Sequence, residues 1–132
     1  MYITNWVSCD TLCNNTVAAL VEKYPELVKE LRVWTRSEHR WKRRAAAVTL
    51  IQPARKGLFL DDVFFIVDAL LEDEDDMVQK GYGWVLNAAS VAHRDAVYNF
   101  VVDRRATMPS IPFRYALDKM PLDMRTAAVQ ME

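Results

Sequence analysis

Very little in this sequence can stop a helix. It contains only three glycines, and Pro25, Pro53, Pro112 and Pro121 each fall where one helix would end or another begin. Between these points apolar residues recur three and four positions apart, the spacing of a helix that buries one face. No stretch alternates apolar and polar residues as a half-buried strand would. The pattern predicts an all-α protein of about seven or eight helices in a single domain spanning residues 1–132.

Taken in order, Thr4 or Asn5 would cap a first helix with Trp6, Asp10, Leu12, Cys13, Val17, Leu20 and Val21 on its inner side. Pro25 would start a second, with Leu27, Leu31 and Trp34 inward. Ser37 would cap a third over residues 37–50, ended by Pro53 and Gly57. A fourth would open at Asp61 or Asp62 and bury Val63, Ile66, Val67, Leu70 and Leu71. Asp75 would cap a fifth, from about residue 77 to 91. A sixth would run from near Asp95 to Arg104, a seventh from Ser110 or Pro112, and a short eighth from Pro121. The stretch TRSEHRWKRRAAA is echoed by DEDDMVQKGYGWV about 37 positions later and by MPSIPFRYALDKM about 35 further on. Helix pairs recurring at that period predict an α-solenoid of HEAT-like repeats, an α-α superhelix with the second helix of each pair on one face.

Charge is balanced overall, with 17 Lys+Arg against 18 Asp+Glu, but it is unevenly placed. Acids cluster at residues 72–76, where they would suit the positive N-terminus of the fifth helix. Bases cluster at Arg36, Arg40, Lys42, Arg43 and Arg44, so a near-neutral chain can still present one positive surface. Cys9 and Cys13 are poorly set for a disulfide, and with only His39 and His93 there is no zinc-binding pattern. No metal or other cofactor is implied. Nor is there an apolar run near the roughly 18 residues that cross a bilayer, so a soluble, cytoplasmic protein is expected.

Three groups of residues are candidates for chemistry, and each also has a plain structural reading. Trp6 and Asp10 stand four apart on one helix, which suits a core tryptophan with a dipole partner, or a pair at a site. Gly81 and Gly83 interrupt a strong helical pattern at a cost of about 1 kcal/mol each. That cost would be offset by close helix packing or by a ligand backbone passing nearby. Trp84 beside them is either core or an aromatic surface. In the basic segment Arg36, Arg40, Arg43 and Arg44 would share one outward face, while Trp41, Ala45 and Val48 face the core. Such a face is a solvated surface or a docking site for phosphates.

Together TNWVSCD, EKYPEL, RWKRRAAAV and VQKGYGWVL, in this order and at this spacing, resemble the DNA alkylation repair proteins of the AlkD type, DNA glycosylases with HEAT-like repeats. The resemblance covers residues 3 to about 120. It implies that a concave basic face grips duplex DNA with alkylated bases. It also implies hydrolysis of the N-glycosidic bond of cationic N-alkylated purines, such as N3-methyladenine and N7-methylguanine, without a base-flipping pocket. Carried onto these positions, Asp10 is the catalytic aspartate, Trp6 and Trp84 form the aromatic cleft around the lesion's sugar, and Arg44 contacts DNA beside it. Arg40, Arg43 and Lys80 are further candidates for backbone contacts.

The chain departs from the family pattern in two places. Asn87 stands where the family carries an arginine three residues after the second tryptophan, which removes one phosphate contact unless Lys80 replaces it. Met1 also lies almost on the first motif, where the family has further helices, so the chain is expected to correspond to the C-terminal part of the fold. Dimerisation over an uncovered N-terminal face, or a non-catalytic binding module for DNA or protein, is the corresponding alternative.

Overall fold

A computed structural model of the chain describes residues 16–130. Among these the only regular structure is helical. Helix α1 (Ala18–Lys23) leads through a 3-10 turn (Pro25–Leu27) into α2 (Val28–Trp34). Then come α3 (Arg40–Val48), α4 (Ile51–Arg55), α5 (Leu60–Leu70), α6 (Asp76–Ala89), α7 (Arg94–Asp103), α8 (Ser110–Leu117) and α9 (Leu122–Gln130). The start of the first expected helix, with Trp6, Asp10, Leu12 and Cys13, lies outside the described residues.

Local chemistry moves several boundaries. Pro25 starts a 3-10 turn, which is tighter than an α-helix and shifts the phase of the next helix. Val28 therefore joins Leu31 in the core, and Leu27, expected inward, is exposed. Leu20 likewise points outward, because α1 is one short helix whose core face is Ala18 and Val21. Ser37 does not begin the basic helix. Its Oγ accepts the His39 N–H at 3.1 Å in a turn, His39 is extended, and the helix starts at Arg40. Nor does that helix reach residue 50, since it ends at Val48. Pro53 has no N–H to bond back to Thr49, so the chain turns at Thr49–Leu50 and restarts as α4, which Gly57 closes at φ 86°.

Other expectations hold. The fourth helix opens one residue early and buries Val63, Ile66, Val67 and Leu70, with Leu71 just beyond its end. Asp75 caps α6: its Oδ1 accepts the N–H groups of Met77 at 2.9 Å and Val78 at 3.2 Å. Asp75→Ala removes this cap, and its expected cost is about 1 kcal/mol. Thermal unfolding of the variant checks it, and an unchanged midpoint would show that the cap contributes nothing.

The helices form two rows. In one, α6 lies between α3 and α8 and packs on both. These three helices carry the recurring segments of the sequence. In the other, α2, α5 and α7 are joined side by side. Arg32 Nε donates to Asp62 Oδ1 at 2.8 Å, Arg104 Nη2 donates to Asp68 Oδ2 at 2.9 Å, and Phe64 stacks on Phe100 with centroids 4.1 Å apart. Ties between residues about one repeat apart are what a helical-repeat array requires. Between the rows lies one core, which includes Leu31, Leu50, Ile66, Leu70, Leu86 and the ring of Tyr82. The Tyr82 hydroxyl donates to the Leu71 carbonyl at 3.0 Å. Burial, helped by the nearby Asp73 carboxylate, holds that phenol well above its ordinary pKa.

Candidate functional site

The alanine run of α3 sets how closely α6 can approach. Ala45, Ala46 and Ala47 are fully buried, and as small residues they leave no bulky side chain on α3 to hold its neighbours off. Gly81 of α6 does the same from the other side. A Cβ built there would lie 3.2 Å from Arg44 Cγ and 3.5 Å from Val48 Cγ2. The Arg44 side chain therefore runs across α6 at Gly81, and its Nη1 donates to the Met77 carbonyl. Met77, Gly81 and Trp84 follow at helical spacing on one face of α6, so the guanidinium lies about one turn before Trp84.

This arrangement corrects the reading of the basic segment as one outward face. Arg44 is 4% exposed and belongs to the α3–α6 contact. Arg43 is half-buried: its Nε bonds Asp73 Oδ2 at 2.7 Å and its Nη1 bonds the carbonyls of Ser37 and Glu38. Arg40 is more open. It stacks over the Trp41 ring at 4.4 Å and reaches Asp75 Oδ2 with Nε at 3.2 Å. The acids expected only to suit the α6 N-terminus thus also neutralise two of these arginines. Helical spacing did place the arginines on neighbouring positions. It could not show that the next repeat, with its acidic turn, packs against them.

Asn87, expected to make no phosphate contact of the kind an arginine would, is turned inward as well. Its side chain is buried, and Nδ2 donates to the Tyr115 carbonyl at 2.8 Å, which ties α6 to α8. That is a packing role, not a phosphate contact. An arginine there would have to leave the interface. Lys80 is partly exposed, one turn before Trp84 on the same helix.

The glycines resolve in favour of packing. At Gly83 a Cβ would lie 2.9 Å from Pro112 Cα and 3.1 Å from Tyr115 Cβ, so only glycine lets α8 sit at this distance. Trp84 resolves the other way: it is 48% exposed in a helix whose neighbouring positions are nearly all buried. Its ring lies 5.0 Å from that of Tyr115, tilted by 50°. The described part of the site is thus an open indole backed by Tyr115. Lys80 stands one turn before it, and the Arg44 side chain crosses α6 at Gly81, also about one turn before it. Tyr115 was not among the residues singled out from the sequence. The repeat register held a signal for it, because Tyr115 occupies the position in MPSIPFRYALDKM that Lys80 occupies in the preceding copy. Trp6 and Asp10 lie outside the described residues, so their distance from Trp84 is not part of this geometry.

No curated protein matches the chain. The sequence profile of one family, described as DNA alkylation repair enzyme, matches residues 1–120, which takes in every element up to the end of α8 and leaves α9 beyond it. With nine-tenths of its length matched, the chain belongs to the DNA alkylation repair enzyme family.

Proposed function

We propose that the chain is a DNA glycosylase that hydrolyses the N-glycosidic bond of cationic N-alkylated purines in duplex DNA, using Asp10, Trp6 and Trp84. The observation that carries this reading is the exposed indole of Trp84, one turn after Lys80, in a family of DNA alkylation repair enzymes. Exposing an indole to water is unfavourable, and a helix that buries its neighbours would ordinarily bury it too.

Alkylation gives the purine a positive charge, so it leaves as a neutral base with little need for acid assistance. The barrier then lies in the positive charge that develops on the sugar as the glycosidic bond breaks. Indole faces attract a cation through the ring quadrupole, and a carboxylate stabilises it directly and orients the attacking water. No pocket that reads the base is required, because the lesion's own charge provides the selection.

The cation roles follow from exposure. Lys80 and Arg40 are accessible to phosphates, whereas Arg43, Arg44 and Asn87 hold the framework. The test is release of 7-methylguanine from methylated duplex DNA, measured by chromatography above the spontaneous rate. Wild-type chain is expected to release it, and Trp84→Ala to slow release roughly 10- to 30-fold. Salt-dependent DNA affinity with no release by the wild type would remove the glycosylase reading and leave a non-catalytic binding module.

A further inference from the structure

Trp84 needs something to hold it. An exposed tryptophan on a helix has more than one staggered χ1 state and a broad χ2 open to it, and water does not select among them. Among the described residues the ring contact made by Trp84 is with Tyr115, 5.0 Å between centroids in a tilted arrangement. Tilted aromatic pairs at this distance are favourable beyond the area they bury.

Two other features of the α6–α8 interface serve the same contact. Gly83, next to the indole in sequence, removes the side chain that would push Tyr115 away: a Cβ there would stand 3.1 Å from Tyr115 Cβ. Asn87, one turn further on, donates its amide to the Tyr115 carbonyl at 2.8 Å and fixes the backbone from which the ring projects. The residues before and after Trp84 on α6 thus both bear on Tyr115. Interfaces between helices do not need such convergence on one partly exposed ring.

We propose that Tyr115 is the positioning residue of the site: its ring fixes the orientation of the Trp84 indole so that the indole face is presented to the lesion. The role belongs to the aromatic ring, and the hydroxyl has no part in it. This assignment rests on the reading of Trp84 as a catalytic aromatic, but its physical content is the immobilisation of an indole, which is measurable without turnover.

The experiment compares Tyr115→Phe and Tyr115→Leu in the full chain. Leucine keeps apolar volume in the interface and removes the ring; phenylalanine keeps the ring and removes the hydroxyl. The Trp84 indole N–H is assigned in the NMR spectrum of ¹⁵N-labelled protein by its loss in Trp84→Phe. Its ¹⁵N relaxation is expected to report a rigid indole in the wild type and in Tyr115→Phe, and a mobile one in Tyr115→Leu. For 7-methylguanine release, Tyr115→Phe is expected to stay within about twofold of wild type. Tyr115→Leu is expected to lose roughly tenfold in kcat with little change in KM, since a ring pair is favourable by about that factor. A rigid indole in Tyr115→Leu overturns the proposal, as does a loss in Tyr115→Phe equal to that in Tyr115→Leu. A wild type that releases no base refutes the glycosylase reading, and the relaxation measurement then decides the positioning role alone.

Discussion

Asp10→Asn is expected to reduce release of methylated purines by a factor on the order of 10² to 10³ while DNA binding persists. Asparagine has nearly the shape of aspartate, so the change removes a charge and little else. The rate depends on how well the site tolerates positive charge on the sugar as the bond to the neutralised base stretches. A carboxylate favours that state strongly, and an amide offers only a dipole. In the proposed mechanism the carboxylate would also be the acceptor that orients water, and an amide is a far poorer base. Binding should respond in the opposite direction if it responds at all, because a negative charge beside phosphates is lost. Single-turnover release from methylated duplex DNA, together with a DNA-binding titration at the same salt, separates the two effects. Asp10→Asn with wild-type release rates would show that the carboxylate has no role in the chemistry. Equal losses in rate and in affinity would show that it acts in binding instead. Duplex DNA without alkylation should yield no base from either protein, because its purines would have to leave as anions.

The fold was legible because it follows from local spacing. Val63, Ile66, Val67 and Leu70 recur as a helix face and are buried as one. Asp75 stands just before an apolar-periodic run and caps it. What local spacing misses is phase and partnership. A 3-10 turn at Pro25 rotates the next helix enough to exchange Leu27 for Val28 in the core, and the sequence does not distinguish a 3-10 start from an α start. The break at Thr49–Leu50 reflects the lost donor at Pro53 acting four residues upstream, where a proline was expected only to mark the end.

The site was less legible, for a related reason. Whether an arginine on a helix faces solvent or a neighbour depends on what the next repeat brings against it. Arg40 and Arg43 meet Asp75 and Asp73, 35 and 30 residues on, and Arg44 passes over Gly81, 37 residues on. Each of those partners was noticed alone: the acids as helix-dipole partners, the glycine as a cost that close packing or a ligand would offset. They are two sides of one interface. The same is true of Gly83, whose partner Tyr115 drew no attention because a tyrosine in an amphipathic helix is ordinary until its neighbour is known.

Gly83→Val is expected to destabilise the chain by about 3 kcal/mol, a fall of roughly 10 °C in the unfolding midpoint, whereas Gly81→Ala should leave stability nearly unchanged. Both replace a glycine inside one helix, and both gain helix propensity, about 1 kcal/mol for alanine and less for the β-branched valine. The difference lies in what the added atoms meet. At Gly81 the nearest atom is Arg44 Cγ at 3.2 Å, on a long side chain that can shift by a few tenths of an ångström. At Gly83 it is Pro112 Cα at 2.9 Å, a backbone atom in α8 that cannot move unless the helix moves with it. Valine adds two further methyl groups to that contact, so α8 must separate from α6 and the Asn87–Tyr115 hydrogen bond must stretch. Separation also carries the Tyr115 ring away from Trp84, so base release should fall further than the folded fraction alone explains. Thermal unfolding and release assays on both variants check this. A Gly83→Val chain as stable as wild type would show that α8 does not need to sit so close, and close packing would no longer explain why α6 carries a glycine there.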